Sequence, residues 1–146
     1  MKRLLAIITV FIFMLGFQGC GKTSGNGGGL KNEKVENYSV KIVYDGKEIK
    51  GYSIDDIKKM PTTSFEQDNS KEEGPSIATI LTENNIKEYS KITFIGMWKD
   101  SITMTKEQVE KGSLLDITNH DTTKLAAKAI NKDKWIKDIA TIKVAK

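Results

Sequence analysis

The chain has 146 residues, with 23 lysines and arginines against 19 aspartates and glutamates, a formal net charge of +4. That length holds one small domain with extensions, and a balance so near neutral, with cations interspersed among acids, argues against nucleic acid as a partner. Cys20 is the only cysteine, so no disulfide forms within the chain.

Met1-Lys2-Arg3 places two positive charges ahead of an uncharged, mostly apolar run from Leu4 to Phe17, which Gly19-Cys20 closes. A spanning helix needs about 20 apolar residues, and this run has instead the length of a signal h-region. The order predicts a secretory signal peptide over residues 1–19. Leu15-Gly16-Phe17-Gln18-Gly19-Cys20 resembles a bacterial lipobox, although Phe17 and Gln18 depart from the usual residues. The resemblance implies cleavage after Gly19 and attachment of diacylglycerol and a fatty acyl chain such as palmitate to Cys20. Buried acyl chains contribute about 0.8 kcal/mol per CH2, so two or three hold a protein to a bilayer. Gly21 to Gly29 reads as a flexible tether, and charged Leu30–Asn37 extends it. The expected division is a signal peptide at 1–19, a lipidated tether at 20–37 and a folded domain at 38–146. The expected location is the extracytoplasmic face of the cell membrane.

Removing Lys2 and Arg3 leaves 21 cations against 19 acids, a net +2. Arg3 is the only arginine and leaves with the signal peptide. The rigid fork that usually binds phosphate, sulfate or carboxylate bidentately is therefore missing from the domain.

In chain order, Tyr38–Tyr44 alternates and predicts a strand. Asp45-Gly46 predicts a tight turn and Lys47–Gly51 the returning strand. Ser53 caps a short helix over Ile54–Met60, with Asp55 and Asp56 in its first turn and Pro61 as its stop. Thr62–Glu66 predicts a strand and Gln67–Gly74 a polar loop. Pro75–Leu81 opens a second helix with Ile77, Ile80 and Leu81 on one face, ended by Asn84-Asn85. Lys91–Gly96 and Ser101–Met104 predict strands joined by the turn Met97–Asp100. Thr105 to Gln108 has capping-box form, with a helix to Lys111 and Gly112 as its stop. Leu114–Thr118 is expected extended and Asn119–Thr123 a polar loop. Lys124–Ile130 is open between helix, by its alanines, and strand, by its position. Asp133–Lys137 predicts one helical turn, and Ile139–Val144 a closing strand with Ile139 alternating against Thr141 and Lys143. Short strands mixed with short helices give an α+β domain, a small mixed sheet with short helices.

This order resembles the sulfite-oxidase-type molybdopterin-binding domain. The likeness is carried by Tyr52–Pro61, Gly74–Leu81, Ile92-Thr93-Phe94 with Ser101–Met104, and above all the ending Lys134-Trp135-Ile136-Lys137-Asp138-Ile139-Ala140-Thr141-Ile142-Lys143-Val144. It implies that family's fold over roughly Val40–Val144. Its chemistry does not carry over residue by residue. The family holds molybdenum with a cysteine thiolate, a soft ligand, expected by position near Thr63–Gln67. That segment reads Thr63-Ser64-Phe65-Glu66-Gln67. Cys20 lies before the tether, and the family's anion-binding arginines have no counterpart.

Asp116, His120 and Asp121 offer three metal-ligand candidates on one loop, but a solvated turn is the better reading, and no metal site is assigned. No nucleophile elbow supports Ser/His/Asp catalysis. The acid pairs Asp55-Asp56 and Glu72-Glu73 read as capping or solvated residues. Gly25–Gly29 lacks the strand and helix of a phosphate loop. Trp135 is expected in the core. Trp98, with Lys99 and Asp100 on a turn, and His120 are the candidate ligand-binding residues, against the plainer reading of Trp98 as an edge residue covering the sheet. The function expected is a membrane-anchored extracytoplasmic lipoprotein whose domain binds a small molecule or a protein without catalysis or cofactor. The alternative is a molybdopterin-dependent oxidoreductase.

Overall fold

The computed structural model describes residues 37–146. The predicted signal peptide, Cys20 and the tether up to residue 36 lie outside the described residues.

The first hairpin joins β1 (Ser39–Tyr44) to β2 (Lys47–Ser53) through Asp45 and Gly46 at φ 46° and 80°, the two positive angles of a type I′ turn. Ser53 then caps α1 (Ile54–Lys58). The Asp56 amide donates to Ser53 Oγ at 3.2 Å, and the Ser53 amide to Asp56 Oδ2 at 3.0 Å. This reciprocal box satisfies two donors that a helix start otherwise leaves unpaired. Next come β3 (Thr63–Gln67), β4 (Ser70–Gly74) and α2 (Ile77–Glu83), which Ser76 caps. A second large hairpin, β5 (Lys91–Gly96) and β6 (Ser101–Thr105), leads into α3 (Lys106–Glu110), where Thr105 and Gln108 form the predicted capping box. The chain finishes with β7 (Ser113–Ile117), β8 (Thr123–Ala127), a 3-10 turn at Lys132–Lys134, and β9 (Ile139–Ala145).

Five strands form one sheet in the order β2-β1-β9-β5-β6. β1 and β9 run parallel, and the other neighbours antiparallel. The register stacks Val40 with Tyr52, Ile42 with Ile142, Phe94 with Ile142, and Ile92 with both Val144 and Met104. All of these are buried. One face of the sheet is therefore apolar, and Ile54, Ile57, Ile77, Ile80 and Leu81 from α1 and α2 join the same core. Fully burying such a side chain contributes about 1.5–3 kcal/mol, which makes this face the main source of cohesion. On the opposite face Thr93 and Thr103 share a hydroxyl hydrogen bond of 2.8 Å. Among the described residues no helix is long and apolar enough to cross a membrane.

Two smaller hairpins, β3–β4 and β7–β8, lie beside this sheet. They meet where β4 ends: the Leu115 amide donates to Pro75 O at 3.0 Å, and Ser76 bridges Leu114. A Cβ built at Gly74 would overlap the Leu115 carbonyl oxygen and stand 2.8 Å from its carbon, so only glycine permits this approach.

Two expectations are corrected, one left open is settled, and β9 carries a bulge that its residue pattern does not show. The expected loop Gln67–Gly74 is a hairpin, turned by Asp68 and Asn69 at φ 51° and 60°. Its second strand alternates with polar residues, Glu72 and Gly74 inward and Lys71 and Glu73 outward, so no apolar pattern marks it. The ambiguous Lys124–Ile130 forms strand β8 up to Ala127. Pairing with β7 outweighs the alanines' modest helix preference. The expected turn at Asp133–Lys137 is the earlier 3-10 turn, and Trp135 is already extended at φ −69°, ψ 133°. In β9 the simple alternation breaks. Ile95 and Gly96 oppose Thr141 and Ile139, leaving Ala140 as an extra residue. The bulge shifts the phase, so Ile139 and Ile142 are both buried while Lys143 is exposed.

Gly74→Ala drives a methyl group into backbone rather than into a yielding side chain. It should destabilise the domain by about 3 kcal/mol and lower Tm by roughly 10–20 °C, as read by thermal and urea unfolding.

Candidate functional site

β3, α2, the end of α3, and β7 enclose a cleft of about 310 Å³. Thr63, Ser64 and Phe65 of β3 form one wall, and Ala78, Tyr89, Val109 and Leu114 line the cleft elsewhere. This is the place where the family resemblance puts a metal-binding cysteine, and the cleft is open there. Three loop-to-helix devices shape it. Ser76 caps α2, its Oγ accepting from the Thr79 amide at 2.9 Å. Ser113 Oγ donates to Val109 O at 3.0 Å and closes the turn after α3. Gly112, at φ 121°, takes a conformation other residues avoid.

The charges at this cleft are few. Lys128 reaches over the Phe65 ring, its Nζ 5.2 Å from the centroid. Glu110 lies on the other rim, 3.8 Å from Lys106, which itself stands 5.6 Å from the Tyr89 ring. The donor set is hydroxyls, one ammonium and one paired carboxylate. It offers no thiolate for molybdenum and no guanidinium for a pterin phosphate, so the residues present do not fit a molybdopterin.

The β3 wall is held from behind by a buried carboxylate. Glu72 on β4 is 2% exposed. Its Oε2 accepts from Lys124 Nζ at 2.6 Å and its Oε1 from Ser70 Oγ at 2.7 Å. Lys132 Nζ stands 3.4 Å from Oε1 and also donates to Ser70 Oγ. Lys124 bridges onward to Asp116 Oδ2 at 3.2 Å. Both ammonium groups lie near the Trp135 ring, at 5.6 and 5.5 Å from its centroid. Phe65 meets that ring edge-on at 6.4 Å, joining the clamp to the cleft. Glu72 is thus neither capping nor solvated, contrary to the sequence expectation.

Burial pushes the Glu72 carboxyl up, but hydrogen bonds with Asp116, Lys124 and Ser70 and the Lys124 charge overcome that and hold it at about 2. Asp116 moves the other way, raised by burial and by the neighbouring Glu72. Burial opposes the charge on Lys124, yet Glu72 and Asp116 raise its pKa.

The sequence-derived candidates lie elsewhere. Trp98 is 82% exposed on the β5–β6 turn, so it does not cover the sheet. Lys99 beside it has φ 69°, and the Gly96 amide donates to Asp100 O at 2.9 Å. His120 is exposed on the β7–β8 loop, its amide 3.3 Å from Thr118 Oγ1. It lines a polar hollow of about 470 Å³ with Asp116, Thr118, Lys124, Lys137 and Asp138. Asp138 ties the two loops to one end of the domain. Its carbonyl accepts from the Met97 amide at 2.8 Å and its carboxylate from Thr122 Oγ1 at 2.7 Å. Asp116 is paired with Lys124, and Asp121 with Lys58 at 3.1 Å. Among the described residues no three His, Cys, Asp or Glu side chains converge on a point that could hold a metal. Trp135 is buried with Leu114 and Ala126, as expected.

No family model and no curated protein matches the chain. Among solved structures, the sulfane dehydrogenase SoxCD from Paracoccus pantotrophus is similar, with a TM-score of 0.62 at 12% identity over 80% of this chain. The match covers 39% of that chain, so this protein spans about two fifths of its length. The likeness shows the fold, mixed sheets with few short helices.

Glu72→Gln keeps the shape but leaves two ammonium groups facing a neutral amide. It should cost roughly 3 kcal/mol at pH 7. A depressed carboxyl stabilises above its ordinary value of 4.5 and loses that contribution as pH falls toward about 2. Asp116, raised rather than lowered, is present in both proteins. Urea unfolding should therefore show the gap between wild type and Glu72→Gln narrowing from pH 5 to pH 3. A constant gap would contradict the clamp.

Proposed function

We propose that the protein is a lipoprotein, acylated at Cys20 and held on the extracytoplasmic face of the membrane, whose domain binds a ligand without catalysing redox chemistry. The supporting observation is the cleft beside Thr63–Phe65. It lies where the resemblance puts the metal-binding cysteine, but its lining of hydroxyls, apolar side chains, one ammonium and one paired carboxylate suits recognition better than metal chemistry. The N-terminal order of charge, apolar run, Gly19 and Cys20 supports the anchor. Similarity of fold alone carries no activity with it, which is why the oxidoreductase alternative has only the neighbour's name behind it.

Two measurements on the full chain test this. With radiolabelled palmitate in a bacterial host, the wild type should label and partition with membranes, and Cys20→Ser should lose the label. Labelling that persists in Cys20→Ser rules out the assigned attachment site. The purified wild-type protein should contain less than about one tenth of an equivalent of molybdenum and no pterin fluorescence. A stoichiometric amount of either restores the oxidoreductase alternative.

A further inference from the structure

Lys128 has an unusual setting for a surface lysine. Its stem crosses Gly112 so closely that a Cβ there would stand 3.2 Å from Lys128 Cδ. Its head lies above the Phe65 ring, on the rim of the cleft. Among the described residues no carboxylate lies within ion-pair distance of it, whereas Glu110, the one acid of the lining, already faces Lys106. The cleft therefore offers one ammonium without a carboxylate partner over an aromatic ring, among hydroxyls and apolar side chains. Two of its hydroxyls are already committed, Ser76 to the Thr79 amide and Ser113 to Val109 O. Thr63, on the same face of β3 as Phe65, lines the same space, its hydroxyl without a hydrogen-bond partner among the described residues, whereas Ser64 contributes backbone.

We infer that this cleft binds a small monocarboxylate with a flat apolar body. Lys128 pairs with the carboxylate, Thr63 is placed to hydrogen-bond it, and the body lies against Phe65, Ala78 and Tyr89. The volume is at the lower end of small-molecule sites, which span roughly 300–1,000 Å³, so a single ring or short chain fits. One ammonium balances one negative charge. A phosphate dianion would carry an excess charge into a site without arginine. This inference rests on reading the domain as a binding module and names the class of ligand it takes.

The test titrates the full chain with phenylacetate, benzyl alcohol, benzylamine and phenyl phosphate, followed by amide chemical shifts. Phenylacetate should shift Ser64, Gly112 and Ser113 saturably, with a dissociation constant on the order of 1 mM. The other three probes should bind about tenfold more weakly or not at all. Lys128→Met, a change at an exposed position, should weaken phenylacetate about tenfold and leave benzyl alcohol unaffected. Ala78→Phe, which fills the cleft from an exposed helix position, should abolish binding while the other resonances stay in place. Absence of saturable shifts at the cleft overturns the inference, as does unchanged binding by Lys128→Met or tighter binding of phenyl phosphate or benzylamine. A molybdenum assay of the same preparation reports separately on the binding-module reading, so the two can fail independently.

Discussion

The arrangement of this domain turns on one carboxylate that water does not reach. Glu72 has left solvent, and a buried anion is tolerated only where it is paired and hydrogen-bonded. Lys124, Lys132 and Ser70 meet that requirement from β8, from the 3-10 turn and from its own strand. The β3–β4 hairpin has few apolar side chains of its own to hold it in place, so electrostatics take the part that hydrophobic contact plays in the large sheet. The consequence reaches the cleft, because Phe65 on the paired strand packs edge-on against Trp135, the ring beside both lysines.

Much of the large sheet was legible in the sequence because its signals are local. Asp45-Gly46 carries its own turn geometry, Ser53 and Thr105 announce capped helices within four residues, and Ile92 and Phe94 alternate with Thr93 and Ile95. The small hairpins were less legible for a physical reason. In β4 the inward positions hold Glu72 and Gly74. One is inward by ion pairing and the other by backbone approach to Leu115, and neither leaves a mark in a hydrophobic pattern. The bulge in β9 was not legible because it is set by the partner strand.

The site was less legible still. Its walls come from residues as distant as Thr63, Ser76, Val109 and Lys128, and no spacing rule connects them. Reading by exposure and turn position pointed instead to Trp98 and His120, which the fold places at another end of the domain, on loops joined through Asp138. One signal was available in retrospect. Lys71-Glu72-Glu73 following Asp68-Asn69 is an alternating polar strand after a turn, and its inward member required a cationic partner.

The parallel pairing of β1 with β9 has a consequence for how the molecule comes into being. β9 is the middle strand of five, lying between β1 and β5, yet it is made last. Until it arrives the sheet exists as two separate hairpins with no strand to join them, and contacts spanning about a hundred residues have to close late, which is intrinsically slow. Closure of the five-stranded sheet therefore waits on β9, the last of the described strands in chain order.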